Sequence, residues 1–160
     1  MTGKRLVIFD VDGTLCDSQN HILASMARAF AAEGLPGPDR RAVLGIVGLS
    51  LPEAMAQLAP DQPEELRVRL VAGYKAGFMV ERARELAPLY DGVAALIAGL
   101  AARADTLLGI ATGKSHRGLD HLLDGYALTG SFVTRQVADD HPSKPHPSML
   151  LTALAETRVA

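Results

Sequence analysis

The sequence predicts an α/β fold, a doubly wound parallel sheet interrupted after its first strand by an all-helical insertion. Three observations carry this. Leu6-Val7-Ile8-Phe9 is a continuous apolar run of β-formers ending in a carboxylate, the pattern of a buried strand in a parallel sheet. Residues 18 to 86 show helical periodicity with no convincing strand. After Pro88, helix and strand alternate, as a doubly wound sheet requires.

The elements follow in order. Ile22, Met26, Ala29 and Phe30 fall on one face of a helix closed by Gly34, and Pro36 and Pro38 bar its continuation. A second helical piece begins near Asp39. Ser50-Leu51-Pro52-Glu53 has the spacing of a capping box, so a third helix should start at Leu51 with Glu53 reaching back to Ser50. Asp61 to Glu64 repeats that spacing ahead of a long helix in which Leu66, Leu70, Tyr74 and Phe78 recur at four-residue steps. Gly73 and Gly77 should each weaken this helix by roughly 1 kcal/mol relative to Ala. Past Pro88, Val93, Leu96, Ile97 and Leu100 give a helix stripe, Thr106 to Ala111 a buried strand, and Leu119, Leu122 and Leu123 another helix. Phe132 to Arg135 reads as a short strand and Pro147 to Glu156 as the last helix.

Composition narrows the function classes. Of 160 residues 48% are apolar, enough for one ordinary domain with a modest insertion. Sixteen basic and eighteen acidic residues leave a formal charge of −2 with no block of like sign, so no electrostatic footprint for nucleic acid or an anionic membrane is present. The expected partner is a small molecule. Cys16 is the single cysteine, which precludes an intramolecular disulfide and fits a reducing compartment. Four apolar residues before Asp10 are too few for a signal peptide, and no run approaches bilayer length, so the expected location is cytoplasmic.

The chemistry sits where the first strand ends. In open α/β sheets ligands bind beyond the carboxyl ends of the strands, which makes Asp10 a site candidate by position. An ionised carboxylate can attack phosphorus directly if a cation reduces its repulsion from the phosphate, and a divalent metal does this. Asp12, two residues on, has the same side-chain direction in extended chain and can reach a leaving-group oxygen as general acid and base. Gly13 permits the close turn, and Thr14 supplies a hydroxyl to hold the loop.

Asp10-Val11-Asp12-Gly13-Thr14-Leu15 resembles the first motif of the haloacid dehalogenase-like (HAD) hydrolases. Thr112, after Leu107-Leu108-Gly109-Ile110-Ala111, looks like the second motif, and Lys144, in Lys144-Pro145-His146-Pro147, like the third. The insertion is similar to the family's helical C1 cap, and Asp17-Ser18 fits phosphoglycolate phosphatase-like members. The resemblance implies an α/β core over residues 1–17 and 87–160 and a cap over 18–86. It implies a Mg²⁺-dependent phosphomonoester hydrolase acting through an aspartyl-phosphate on a small phosphorylated metabolite, phosphoglycolate-like. Asp10 and Asp12, the latter through its backbone carbonyl, would hold the metal in a site that lacks the family's fourth-motif acid, the Thr112 hydroxyl and Gly113 N–H would bind phosphoryl oxygens, and Lys144 would balance the charge. True haloacid dehalogenases lack an acid at the position of Asp12, which points to phosphate chemistry. Gly13, Thr14, Gly48, Ser50, Gly113 and Lys114 complete the substrate-binding set. Gly48 with Ser50 reads equally as a turn and an N-cap, Lys114 with Arg117 as a solvated helix start, and Thr112 can also serve as an N-cap.

One departure bears on the fold. The family's fourth motif, an acidic segment after a fourth strand beside the first, has no counterpart before Ala160. The core is therefore expected to be truncated, its first strand unpaired along one edge and open to self-association, and the residues to belong to a longer polypeptide or the gap to be filled by another chain or by rearranged packing. Two alternatives compete. One is a non-catalytic relative that binds phosphorylated ligands without turnover. The other is a receiver-type signalling domain, which needs a strand-terminal Asp that does not occur between Leu15 and Leu86.

Overall fold

The computed structural model describes residues 3–159. Strands β1 (Arg5–Phe9), β2 (Thr106–Thr112) and β3 (Thr134–Val137) form one parallel sheet in the order β1-β2-β3. Phe9 lies opposite Ile110, and Thr112 opposite Val137, so the three strands deliver their carboxyl ends to the same side. The expectation attached to Ala160 itself lies outside the described residues.

β1 is half-buried, not buried as the apolar run suggested. Its one ladder is with β2, and among the described residues no strand pairs with its other edge. β3 begins two residues later than the sequence indicated. Phe132 comes before it, after a 3-10 turn at Thr129–Ser131, and is buried edge-on against Phe9 with ring centroids 6.5 Å apart. Its apolar signal belongs to packing between layers, not to the ladder.

Four helices, α1 (Gln19–Ala32), α2 (Arg40–Gly45), α3 (Leu51–Leu58) and α4 (Glu64–Arg84), follow β1 and enclose their own apolar cluster around Met26, Phe30, Val43, Met55 and Leu70. Helices α5 (Val93–Ala101), α6 (His116–Gly125) and α7 (Ser148–Thr157) accompany the sheet, where Val11, Ile97, Leu108, Ile110 and Leu119 form a second cluster. Each such side chain contributes about 1.5–3 kcal/mol by leaving water. On α5, Leu96 is exposed although it was expected in the apolar stripe; Val93 and Ile97 are the buried pair. The two chain crossings between the lobes run side by side. Asp17 N–H donates to the Pro88 carbonyl at 2.8 Å and Tyr90 N–H to the Leu15 carbonyl at 3.1 Å, with Cys16 bridged to Leu89.

Neither expected capping box forms. Ser50 is the N-cap of α3, but its side chain makes no cap bond, and its own N–H donates to Ser143 Oγ at 2.9 Å instead of to Glu53. A serine from the other lobe thus satisfies the backbone donor. α4 starts after Pro63, not after Asp61, because a residue preceding proline is disfavoured in the helical region and Gln62 closes a turn onto Ala59. Gly73 and Gly77 have a packing role that propensity does not show. Cβ atoms there would stand 3.3 Å from the backbones of Ala29 and Ser25, so both glycines let α4 press close to α1.

Candidate active site

Local backbone places the two carboxylates. After Phe9 the chain leaves the sheet, and the N–H groups of Thr14, Leu15 and Cys16 all converge on the Val11 carbonyl, while Gly13 turns with φ +80° and donates to the Cys16 carbonyl. The loop is therefore tied by main chain. Thr14, expected to hold it through its hydroxyl, has an exposed side chain.

Each carboxylate has its own ammonium. Lys144 Nζ donates to Asp10 Oδ1 at 2.9 Å, across a half-buried contact. Lys114 Nζ stands 2.9 Å from Asp12 Oδ1, with both side chains largely buried. Ser18 Oγ donates to the same Asp12 oxygen at 2.5 Å. Thr112 is fully buried at the end of β2, and its Oγ1 accepts the Lys114 N–H at 3.2 Å. Its hydroxyl proton remains free to donate. The N-cap of α6 is Ser115, whose side chain accepts from Gly118 N–H, so Thr112 does not fill that role.

The loop bearing Lys144 is tied at both ends by a histidine. His141 Nδ1 lies 2.8 Å from Ser148 Oγ on α7, and its Nε2 lies 2.7 Å from Gln136 Oε1 on β3. Gln136 in turn donates to Glu156 at 2.9 Å.

The helical lobe reaches this end of the sheet. Gly48 and Leu49 present their carbonyls to Gly113 so closely that a Cβ at Gly113 would lie 2.7 and 2.8 Å from them. The Lys114 ammonium sits 4.9 Å above the ring of Phe78, which is stacked on Tyr74 and met edge-on by His21. A cavity of about 320 Å³ lies between the lobes, with Asp12, Lys114 and Gly113 on one side and Phe78, Tyr74 and Gly48 on the other. Burial, and secondarily the negative charge of Asp12, push the Tyr74 phenol well above its ordinary range, so it remains a hydrogen-bond donor. The same two causes push the Cys16 thiol up to about 12.

Asp10, Asp12, Thr112, Gly113, Lys114 and Lys144 are therefore brought together, and Gly48 and Ser50 approach them from the helical lobe. Sequence reasoning gave no role to Ser18, His141, Ser143 or Phe78. Ser18 carries no signal of its own beyond the Asp17-Ser18 pair, and Phe78 carries only that of a core stripe.

The Asp10 carboxylate and the Asp12 backbone carbonyl are hard oxygen donors, and each of the two carboxylates spends one oxygen, Oδ1, on its ammonium. Among the described residues no three His, Cys, Asp or Glu side chains form a metal cluster. Such a donor set suits Mg²⁺, which keeps several waters and is commonly bound through one or two carboxylates and a phosphate.

A family model described as haloacid dehalogenase-like hydrolase matches residues 7–160. The chain is 36% identical over 157 residues to "Probable phosphatase IndB" of Dickeya dadantii, covering 95% of this chain and 67% of that protein. It is 31% identical over 161 residues to the N-acetylmuramic acid 6-phosphate phosphatase of Pseudomonas aeruginosa, with 95% and 67% covered. Among solved structures it is similar to CbbY of Rhodobacter sphaeroides in complex with xylulose-1,5-bisphosphate, with a TM-score of 0.80, 25% identity and 96% and 72% of the two chains covered. The chain thus spans about two thirds of the length of these curated relatives.

Proposed function

The chain belongs to the haloacid dehalogenase-like hydrolase family, and from that we propose that it is a Mg²⁺-dependent phosphomonoester hydrolase working through an aspartyl-phosphate at Asp10. The activity class is phosphatase, as in the relatives from Dickeya dadantii and Pseudomonas aeruginosa. The substrate in this reading is a small phosphorylated metabolite, met in the cytoplasm. Family membership leaves no place for the receiver-type alternative.

One observation carries the reading. Two carboxylates two residues apart, at the carboxyl end of a parallel strand, are each held by a separate lysine at 2.9 Å. A pair so arranged divides into unlike roles. Asp10, with Lys144 screening its charge, attacks phosphorus; the ester P–O bond breaks and the leaving oxygen takes a proton from Asp12. Ser18 and Lys114 both occupy Asp12 Oδ1, which leaves Oδ2 to carry that proton. In the second step Asp12 takes a proton from water, the water oxygen bonds to phosphorus, and the bond from phosphorus to the Asp10 oxygen breaks to release phosphate. The Thr112 hydroxyl and the Gly113 N–H donate to the transferring oxygens, where charge is spread in the transition state. The chemistry that Mg²⁺ would supply when bound, with the Asp10 carboxylate and the Asp12 backbone carbonyl as its protein ligands, is neutralisation of phosphoryl charge.

The helical lobe acts as a cap in this scheme. It shields the first step and must open for release, turning at Cys16–Ser18 and Leu86–Leu89. The deciding experiment is Asp10→Asn, assayed on 4-nitrophenyl phosphate with Mg²⁺. Turnover should vanish while circular dichroism and melting stay those of the parent. Undiminished hydrolysis would remove the nucleophile assignment.

A further inference from the structure

We infer, resting on the phosphomonoesterase reading, that the preferred ester has an apolar, ring-sized body bearing a second acidic group, which Arg82 and Arg117 receive. The cavity at Asp12 and Lys114, about 320 Å³, falls at the small end of the roughly 300–1,000 Å³ of sites that enclose small organic molecules. Its helical side is walled by Ile22, Met26, Ile46, Leu51, Phe78 and Met79. Such a wall gives nothing to a short, fully polar ester and favours one with apolar surface to bury.

The charges at its edge specify the rest. Arg82 stands one turn beyond Phe78 on α4, and Arg117 three residues beyond Lys114 at the start of α6. Arg82 Nη1 donates to the Arg117 carbonyl at 3.3 Å, which brings the two elements together there. Both arginines line the cavity, and neither has a carboxylate partner among the described residues. The neighbouring Glu81 instead takes Arg28 at 3.1 Å and Arg84 at 3.9 Å. Burial first, and the Arg117 charge second, lower Arg82 from its ordinary range. A carboxylate or second phosphate between them supplies a counter-ion through charge-assisted hydrogen bonds.

The test is binding, by titration calorimetry with Mg²⁺, of three phosphonates that resist hydrolysis: phenylphosphonate, 4-carboxyphenylphosphonate and 2-carboxyethylphosphonate. The carboxyphenyl compound should bind about tenfold or more tightly than either of the others. Arg82→Gln combined with Arg117→Gln should abolish its advantage over phenylphosphonate, and Arg82→Lys alone should keep part of it. Equal affinity for phenyl- and carboxyphenylphosphonate, or an advantage that survives the double variant, would overturn the second anion site. Equal affinity for the carboxyethyl and carboxyphenyl compounds would overturn the apolar body. Phosphonate binding needs no turnover, so a carboxylate advantage in a protein that hydrolyses nothing would uphold this inference while removing the proposed reaction.

Discussion

Gly113 and Gly48 meet backbone to backbone, so that a Cβ added to Gly113 would lie 2.7 Å from the Gly48 carbonyl oxygen. The helical lobe can close on the sheet only because that position has no side chain. Gly113→Ala should push the 46–50 loop away, at a cost of ~1–3 kcal/mol for an overpacked contact. The expected result is a tenfold or greater fall in kcat/KM and faster hydrogen exchange at the Ser50 amide, which loses its bond to Ser143. Wild-type kinetics in this variant would show that closure does not depend on the contact.

Ser18 shares Asp12 Oδ1 with Lys114. A hydrogen bond to a charged group is worth ~1.5–3 kcal/mol, so Ser18→Ala should lower kcat roughly tenfold or more by loosening the acid/base. Asp12→Asn removes the group itself and should cost at least ~10²-fold. Rapid-quench detection of phosphorylated Asp10 in the Asn variant checks the second-step role; no accumulation there, with kcat for Ser18→Ala unchanged, would count against both assignments.

His141 ties β3 to α7 across the loop that carries Lys144. His141→Ala should free both Ser148 and Gln136, loosen the loop and weaken the Lys144 contact to Asp10. Limited proteolysis should then cut within residues 141–147 while the melting temperature changes little, and kcat/KM should fall severalfold. A loop equally resistant in the variant would mean that Pro142, Pro145 and Pro147 hold it unaided.

Cys16 titrates near 12 because it is buried and faces the Asp12 charge. Alkylation requires the thiolate, so the folded protein should resist iodoacetamide at pH 8 while the urea-unfolded chain, with an ordinary thiol near 8.5, reacts within minutes. The sign for stability follows. The folded pKa is raised, so this stabilising contribution is complete below the unfolded value, declines as pH rises past it, and is fully lost above about 12. Urea melts from pH 7 to 10 should show the midpoint falling at the alkaline end; Cys16→Ala should flatten that slope.

The chemistry was legible in the sequence because it is local. An apolar β-run ending in Asp10, an acid two residues on, Thr112 after a second such run and Lys144 in a proline-rich loop all declare themselves within a few residues. The helical insertion was legible for the same reason, through four-residue apolar steps and prolines between them. Boundaries that local rules mis-set, as at Pro63 and Thr134, moved by two residues without altering the order of elements.

What only the tertiary structure decided are relationships between residues far apart in the chain. No spacing rule pairs Asp12 with Lys114, sets Phe78 beneath that ammonium, or lets Ser143 satisfy the Ser50 amide in place of Glu53. Gly73 and Gly77 looked like weak points of a helix until Ala29 and Ser25 came against them. Local sequence fixes backbone preference and the type of chemical group, whereas a partner 100 residues away is selected by packing of the whole chain, which brings several candidates within reach and leaves the others in water.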